Sequence, residues 1–82
     1  YISRELSLIK VHCSTAKRPE IMKIAEMMQA KIVDVAVGTI TLECSDTLEN
    51  TETLISLLKP YGIREIVRTG TVAIDKGAVT AR

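Results

Sequence analysis

The period of the apolar residues changes several times along this chain, and that change limits the possible folds more than any other feature. From Arg4 to Ser14 the alternation is two, with Ser7, Ile9, Val11 and Cys13 on one side and Leu6, Leu8, Lys10 and His12 on the other. A period of two is that of a half-buried strand. Between about Pro19 and Ala30 the spacing shifts to Ile21, Ile24, Ala25 and Met28, the i, i+3, i+4, i+7 stripe of an amphipathic helix, with Pro19 suited to its first turn. Lys31–Val37 returns to extended character, with Val33, Val35 and Val37 expected on one face and Asp34 on the other. Gly38 then gives a tight turn into Thr39–Ser45, where Ile40, Leu42 and Cys44 point inward. A second helix follows an Asp46 or Thr47 cap, with Leu48, Thr51, Leu54, Ile55 and Leu58 as its stripe and Pro60 as its stop. Ile63–Arg68 reads as a fourth strand closed by Gly70, Thr71–Ile74 as a further short extended piece, and Asp75–Arg82 as a tail.

The order strand, helix, strand, strand, helix, strand predicts an α+β, ferredoxin-like βαββαβ sandwich. Right-handed crossovers place both helices on one face of an antiparallel sheet of order 4-1-3-2. At 82 residues the chain is expected to form a single domain spanning 1–82, with the tail from about residue 75. With two Tyr, no Phe and no Trp, its core must be aliphatic.

Cys13 and Cys44 belong to no C-x-x-C pair and read as buried, reduced thiols. The expected topology puts them near opposite ends of neighbouring strands, too far apart for a disulfide.

The formal net charge of +1 gives no electrostatic reason to expect nucleic acid or an anionic membrane as partner. No apolar run approaches the roughly 20 residues that span a bilayer. No apolar h-region follows Tyr1-Ile2-Ser3-Arg4-Glu5, so a secretory signal is not read there, and a cytoplasmic setting is expected.

No catalytic constellation is legible. The single histidine, His12, falls on the open strand face without partners for metal or acid–base work. Asp46, Glu49 and Glu52 complement the dipole of the second helix rather than form a calcium loop. Lys17-Arg18, before the first helix, reads as a solvated loop in preference to an anion site. No catalytic, cofactor-binding or metal residues are therefore assigned, and no cofactor is expected.

Three segments carry a resemblance. Arg4-Glu5-Leu6 with Ile9-Lys10-Val11, the strand Lys31-Ile32-Val33-Asp34-Val35, and above all the long run from Leu58-Lys59-Pro60-Tyr61-Gly62 through Arg68-Thr69-Gly70 to Val72-Ala73 resemble the C-terminal domain of acetolactate synthase small regulatory subunits. The likeness runs from about Ser3 to Gly77. Ala30 stands where that family often has Gly, and His12-Cys13-Ser14 and the tail match no family motif.

The resemblance implies a non-catalytic regulatory domain rather than an enzyme. It would help couple valine feedback to a thiamine-diphosphate-dependent catalytic subunit in branched-chain amino acid biosynthesis. The family's valine-binding ACT domain would lie before Tyr1, and the cofactors belong to the catalytic subunit. The expected partners are that subunit and, in a homodimer, a second small subunit.

The positions singled out for partner contact are Arg68, Thr69 and Gly70 in the long motif, with Leu6 and Leu8 on the open sheet face. The competing reading is a stand-alone small-ligand or metal sensor of the same fold, which one His and two distant Cys disfavour. An RNA-binding domain that stacks bases on strand aromatics lacks the aromatics. A small hydrolase of this fold lacks an identifiable catalytic set.

Overall fold

The computed structural model describes residues 1–78. Four strands, β1 (Ile2–His12), β2 (Lys31–Ala36), β3 (Thr39–Asp46) and β4 (Ile63–Ile74), and two helices, α1 (Arg18–Met27) and α2 (Leu48–Leu58), follow in the order β1-α1-β2-β3-α2-β4. The sheet order is β2-β3-β1-β4, and every neighbouring pair is antiparallel. This is the α+β ferredoxin-like sandwich, with the predicted strand order written from its other edge.

The core lies between the sheet and the helices. Ile9 and Val11 of β1 with Cys13 just beyond its end, Ile40, Leu42 and Cys44 of β3, Ile21, Ile24 and Ala25 of α1, and Leu54, Ile55 and Leu58 of α2 are buried together. These are the inward sets that the alternations and the helical stripes predict. Leu48 departs from its stripe and stays half exposed, because it sits in the first turn of α2, at the rim of the layer. Cys44 pairs with Ser7 of β1, six residues before Cys13, a separation of about 20 Å at strand rise. Both thiols are free, and burial pushes that of Cys44 up.

The helix ends explain the boundaries. Thr47 caps α2, its hydroxyl accepting from the Asn50 backbone N–H at 3.2 Å. Asp46 supports the same turn, accepting from the Thr47 N–H at 2.7 Å and from the Asn50 side-chain amide at 3.0 Å. The Asn50 amide first, and then the Thr47 N–H, holds the Asp46 carboxyl below the usual carboxylate range. At the other helix, α1 stops at Met27 rather than at Ala30. Gln29 takes a left-handed conformation (φ 56°), and the Ala30 N–H reaches back to the Ala25 carbonyl at 2.8 Å. This is a helix-ending motif usually built on Gly.

Three bulges correct the strand readings. On β2 the register slips between Ile32 and Asp34, so Ile32 and Val35 face the same side as Leu42 and Ile40. The expected shared face of Val33, Val35 and Val37 is therefore broken, and Ile32 is the residue that packs against the core. On β4 the register shifts between Lys10–Glu65 and Val11–Ile63, which makes Arg64 an extra residue. Ile63 and Ile66 consequently both lie on the helix side, opposite Val11 and Ile9, although their spacing is three. The third bulge lies at Thr69–Gly70. Ile63–Arg68 and Thr71–Ile74 are not two pieces but one strand of 12 residues running through it. Of the expected tail from residue 75, residues 79–82 fall outside the described residues.

Candidate protein-contact site

Five positions were singled out from the sequence, and the fold divides them between the two sides of the sheet. Leu6 and Leu8 lie on the open side, 42% and 40% exposed, as the alternation of β1 requires. Arg68 pairs with the buried Ser7 and so belongs to the helix side.

The Arg68 guanidinium bridges two carboxylates there. Its Nε donates to Glu5 Oε1 at 2.6 Å, and its Nη1 lies 2.9 Å from Glu52 Oε1 on α2. The Glu5 side chain is 4% exposed, so Arg68 supplies the counter-charge that lets a carboxylate sit inside the sheet–helix layer. The hydrogen bonds that Arg68 donates to Glu5, and secondarily to Glu52, push it up from an already high value, so it stays charged.

Thr69 and Gly70 together oppose the single residue Leu6. Gly70 sits at φ 82°, a region that side-chain-bearing residues rarely occupy. The Leu6 N–H, which the bulge takes out of the regular ladder, donates to the Thr69 hydroxyl at 3.1 Å. That hydroxyl donates in turn to the Gly70 carbonyl at 2.8 Å. Arg68-Thr69-Gly70 is thus the machinery of a bulge: a glycine that turns, a hydroxyl that repairs the ladder, and an arginine that ties the bulge to α2.

The open side has an apolar half and a polar half. Strands β2 and β3 present Lys31, Asp34, Thr39, Thr41 and Glu43. On β1 and β4, Leu8 stands opposite Val67, Arg4 opposite Val72 and Ile2 opposite Ile74, so three β4 residues join Leu6 and Leu8. Val67, Val72 and Ile74 are more exposed than either leucine. The sequence reading missed them because the bulges on β4 hide which of its residues share a face. The signal that was available is the pattern Thr71-Val72-Ala73-Ile74, alternating once more after Gly70. Lys10 and Glu65 form an ion pair at 3.1 Å at one end of this half. Both are well exposed, so the pair adds little stability.

His12 is exposed, with its Nδ1 3.3 Å from Arg64 Nη2 and its backbone N–H donating to the Gly62 carbonyl at 2.8 Å. Glu20 ties the start of α1 to the loop before β4, accepting from the Tyr61 hydroxyl at 2.8 Å and from Lys17 Nζ at 3.3 Å. The Tyr61 bond, and then the Lys17 bond, lowers the Glu20 carboxyl, while Glu20 raises the Tyr61 hydroxyl. Among the described residues no three His, Cys, Asp or Glu side chains come together as a metal site. No helix among them is long and apolar enough to cross a membrane.

The fold and its side chains therefore define a ferredoxin-like domain whose most specific sequence motif serves to bend and fasten its last strand. Comparison with known proteins gives the family. The family model described as "Small subunit of acetolactate synthase" matches residues 4–77, and the chain belongs to that family. The acetolactate synthase small subunit of Bacillus subtilis is 46% identical over 76 residues, 93% of this chain and 44% of that protein. The small subunit of Mycolicibacterium smegmatis is 42% identical over 76 residues, again 93% of this chain, and 45% of the relative. The crystal structure of the acetolactate synthase small subunit from Thermotoga maritima superposes with a TM-score of 0.87 at 33% identity, covering 95% of this chain and 48% of that one. The chain thus spans less than half the length of the relatives it matches.

Proposed function

We propose that this chain is a non-catalytic regulatory domain that helps couple valine feedback to the thiamine-diphosphate-dependent catalytic subunit of acetolactate synthase, in branched-chain amino acid biosynthesis. The observation that carries the reading is the family match over residues 4–77, shared with proteins named as small subunits. In this reading the domain acts by protein contact in the cytoplasm, within a homodimer of small subunits, and holds no cofactor. Arg68, Thr69 and Gly70, with Leu6 and Leu8, are the proposed contact positions. Because they lie on both sides of the sheet, two separate contacts suit them better than one. Coupling of this kind requires contacts that differ between the valine-bound and valine-free states.

The test is reconstitution. The small subunit carrying this domain, and the same subunit truncated before Tyr1, are mixed with the catalytic subunit, and acetolactate formation is measured with and without valine. The reading expects truncation to diminish stimulation or the valine response. Full stimulation and full valine sensitivity without the domain would remove its regulatory role.

A further inference from the structure

We propose that the end of the sandwich formed by residues 12–20 and 59–64 is a basic docking surface for an acidic patch on the catalytic subunit. The inference rests on the reading of the chain as a domain that works by protein contact, and it adds a contact made by none of the five positions above.

The two ends of the molecule differ. At one, β3 pairs with β1 no further than Glu5–Asp46, so Ile2–Arg4 and Val72–Ile74 continue as a two-stranded ribbon. At the other, the chain leaves β1 after His12 and enters α1 through a short helical turn at Thr15–Lys17, while α2 leads into β4 through a second such turn, Lys59–Tyr61. These two connections meet. Glu20 of α1 accepts from the Tyr61 hydroxyl at 2.8 Å, and the His12 N–H donates to the Gly62 carbonyl at 2.8 Å. The His12 ring lies 3.3 Å from the Arg64 guanidinium.

The meeting gathers charge that is scattered in the sequence. Lys17, Arg18, Lys59 and Arg64 stand against one carboxylate, Glu20, so the two segments carry a formal +3. The whole chain carries +1, which leaves −2 for the rest. Glu20 is engaged by Lys17, at 3.3 Å, and by Tyr61. Among the described residues, Arg18, Lys59 and Arg64 form no ion pair with a carboxylate. Lys59 and Arg64 are exposed, and Arg18 is half-buried, with its Nε out of solvent and without an acceptor. A guanidinium N–H in that state costs free energy that a new acceptor would recover. Arg18 and Lys59 each precede a proline, which restricts the backbone at both, so less freedom is lost when they are engaged. Cations gathered in this way repel one another and gain from a surface of opposite sign.

Two observations favour a protein surface over other anions. The cations lie along a line of contacts from Lys17 through Glu20, Tyr61 and His12 to Arg64, whereas a single phosphate needs donors that converge on one point. Tyr61, the one aromatic ring in these segments, packs against the core and leaves no platform for stacking a base. A nucleic acid would also carry its further phosphates onto the remaining surface, whose net sign is negative. Carboxylates on a folded partner can end where the basic patch ends.

The test measures binding of the small subunit carrying this domain to the catalytic subunit, by surface plasmon resonance at low and at high salt. Lys59→Glu with Arg64→Glu reverses two charges at the proposed surface. Lys31→Glu with Lys76→Glu makes the same change at exposed cations elsewhere. The first pair should weaken binding by about tenfold or more at low salt, mainly through slower association, and by less at high salt. The second should stay within about twofold of wild type. Circular dichroism checks the fold of each. If the reversal fails to fold, Lys59→Gln with Arg64→Gln replaces it, with the same direction and a smaller loss.

Equal weakening by both pairs, or none by the first, overturns the inference. So does binding of a mixed-sequence oligonucleotide that the first pair abolishes while affinity for the catalytic subunit holds, which would assign the surface to nucleic acid. Loss of stimulation or valine response on truncation before Tyr1, with affinity unchanged by the reversal, removes the basic end alone and leaves the regulatory reading standing. Weaker binding on reversal, with stimulation and valine response at saturation independent of the domain, keeps the docking surface and removes the regulatory reading.

Discussion

The β1–β4 pair has two ends built from the same kind of alternating sequence, and they behave differently. At the body end, Ile9 and Val11 are fully buried, and Ile63, opposite Val11, packs against the same core, while Ile66, opposite Ile9, lies on the helix side at its margin. At the ribbon end, Ile2, Val72 and Ile74 alternate as regularly but have no layer over them. The Thr69–Gly70 bulge separates the two, clasped by Arg68 to Glu5 and Glu52. Alternation therefore specifies a strand and a sidedness, whereas burial depends on whether another element arrives.

The largest expected effect lies at the body end. Ile24→Asp puts a charge into the packed stripe of α1, and the chain should lose its cooperative melting transition altogether, since stability at this size is only about 4–12 kcal/mol. A folded variant with a normal melt would break the contrast between the ends. Next comes the clasp. Arg68→Met leaves the Glu5 carboxylate buried without a partner and should lower Tm by roughly 5–10 °C. Adding Glu5→Leu should recover part of that loss; a double variant less stable than Arg68→Met alone would show that the arginine stabilises the fold in some other way.

Smaller is the cap of α2. Thr47→Ala should cost about 1 kcal/mol in chemical denaturation. Asp46 adds a pH dependence to the same turn. Its folded carboxyl lies below its unfolded value, so its contribution is fully present above the unfolded value near pH 4 and is lost as the pH falls through the folded one. Asp46→Ala should therefore flatten the acid limb of the stability curve, and an unchanged limb would assign the acid sensitivity to another carboxylate. Smallest of all, Val72→Thr on the ribbon should change single-chain stability by less than about 0.5 kcal/mol. A loss as large as that of a core truncation, measured where the chain is of single mass, would mean that the ribbon belongs to the body after all.

Most of the architecture was readable because its signals are local. The alternation of β1 and β3, the stripes of α1 and α2, Gly38 in the hairpin and Thr47 as cap all depend on neighbours within a few residues. The misreadings of the strands share one cause: a bulge is a property of two strands, and one strand's sequence does not display it. Val33 looked inward-facing because an unbroken β2 would have made it so. Ile63 and Ile66 looked inconsistent because Arg64 steps out of register. Gly70 looked like a strand end because a glycine more often closes a strand than bends one. Gln29 hid the end of α1 by doing what a glycine usually does.

At the candidate site, the alternation of β1 revealed Leu6 and Leu8, while Val67, Val72 and Ile74 became visible only with the register. The resemblance drew attention to Arg68, Thr69 and Gly70, and their intramolecular tasks depend on Glu5, Glu52 and the Leu6 N–H, none of which adjoins them in sequence.

The pairing of Ile2 with Ile74 puts the first residue of β1 and the last residue of β4 on one rung, at the end of the ladder. Tension applied between those two residues loads the ladder one rung at a time, as a zip is loaded, rather than all rungs together as in shear. The first few rungs should part at low force. The Arg68 clasp, sitting just past Glu5, is then the first obstacle that a pull from that end would meet.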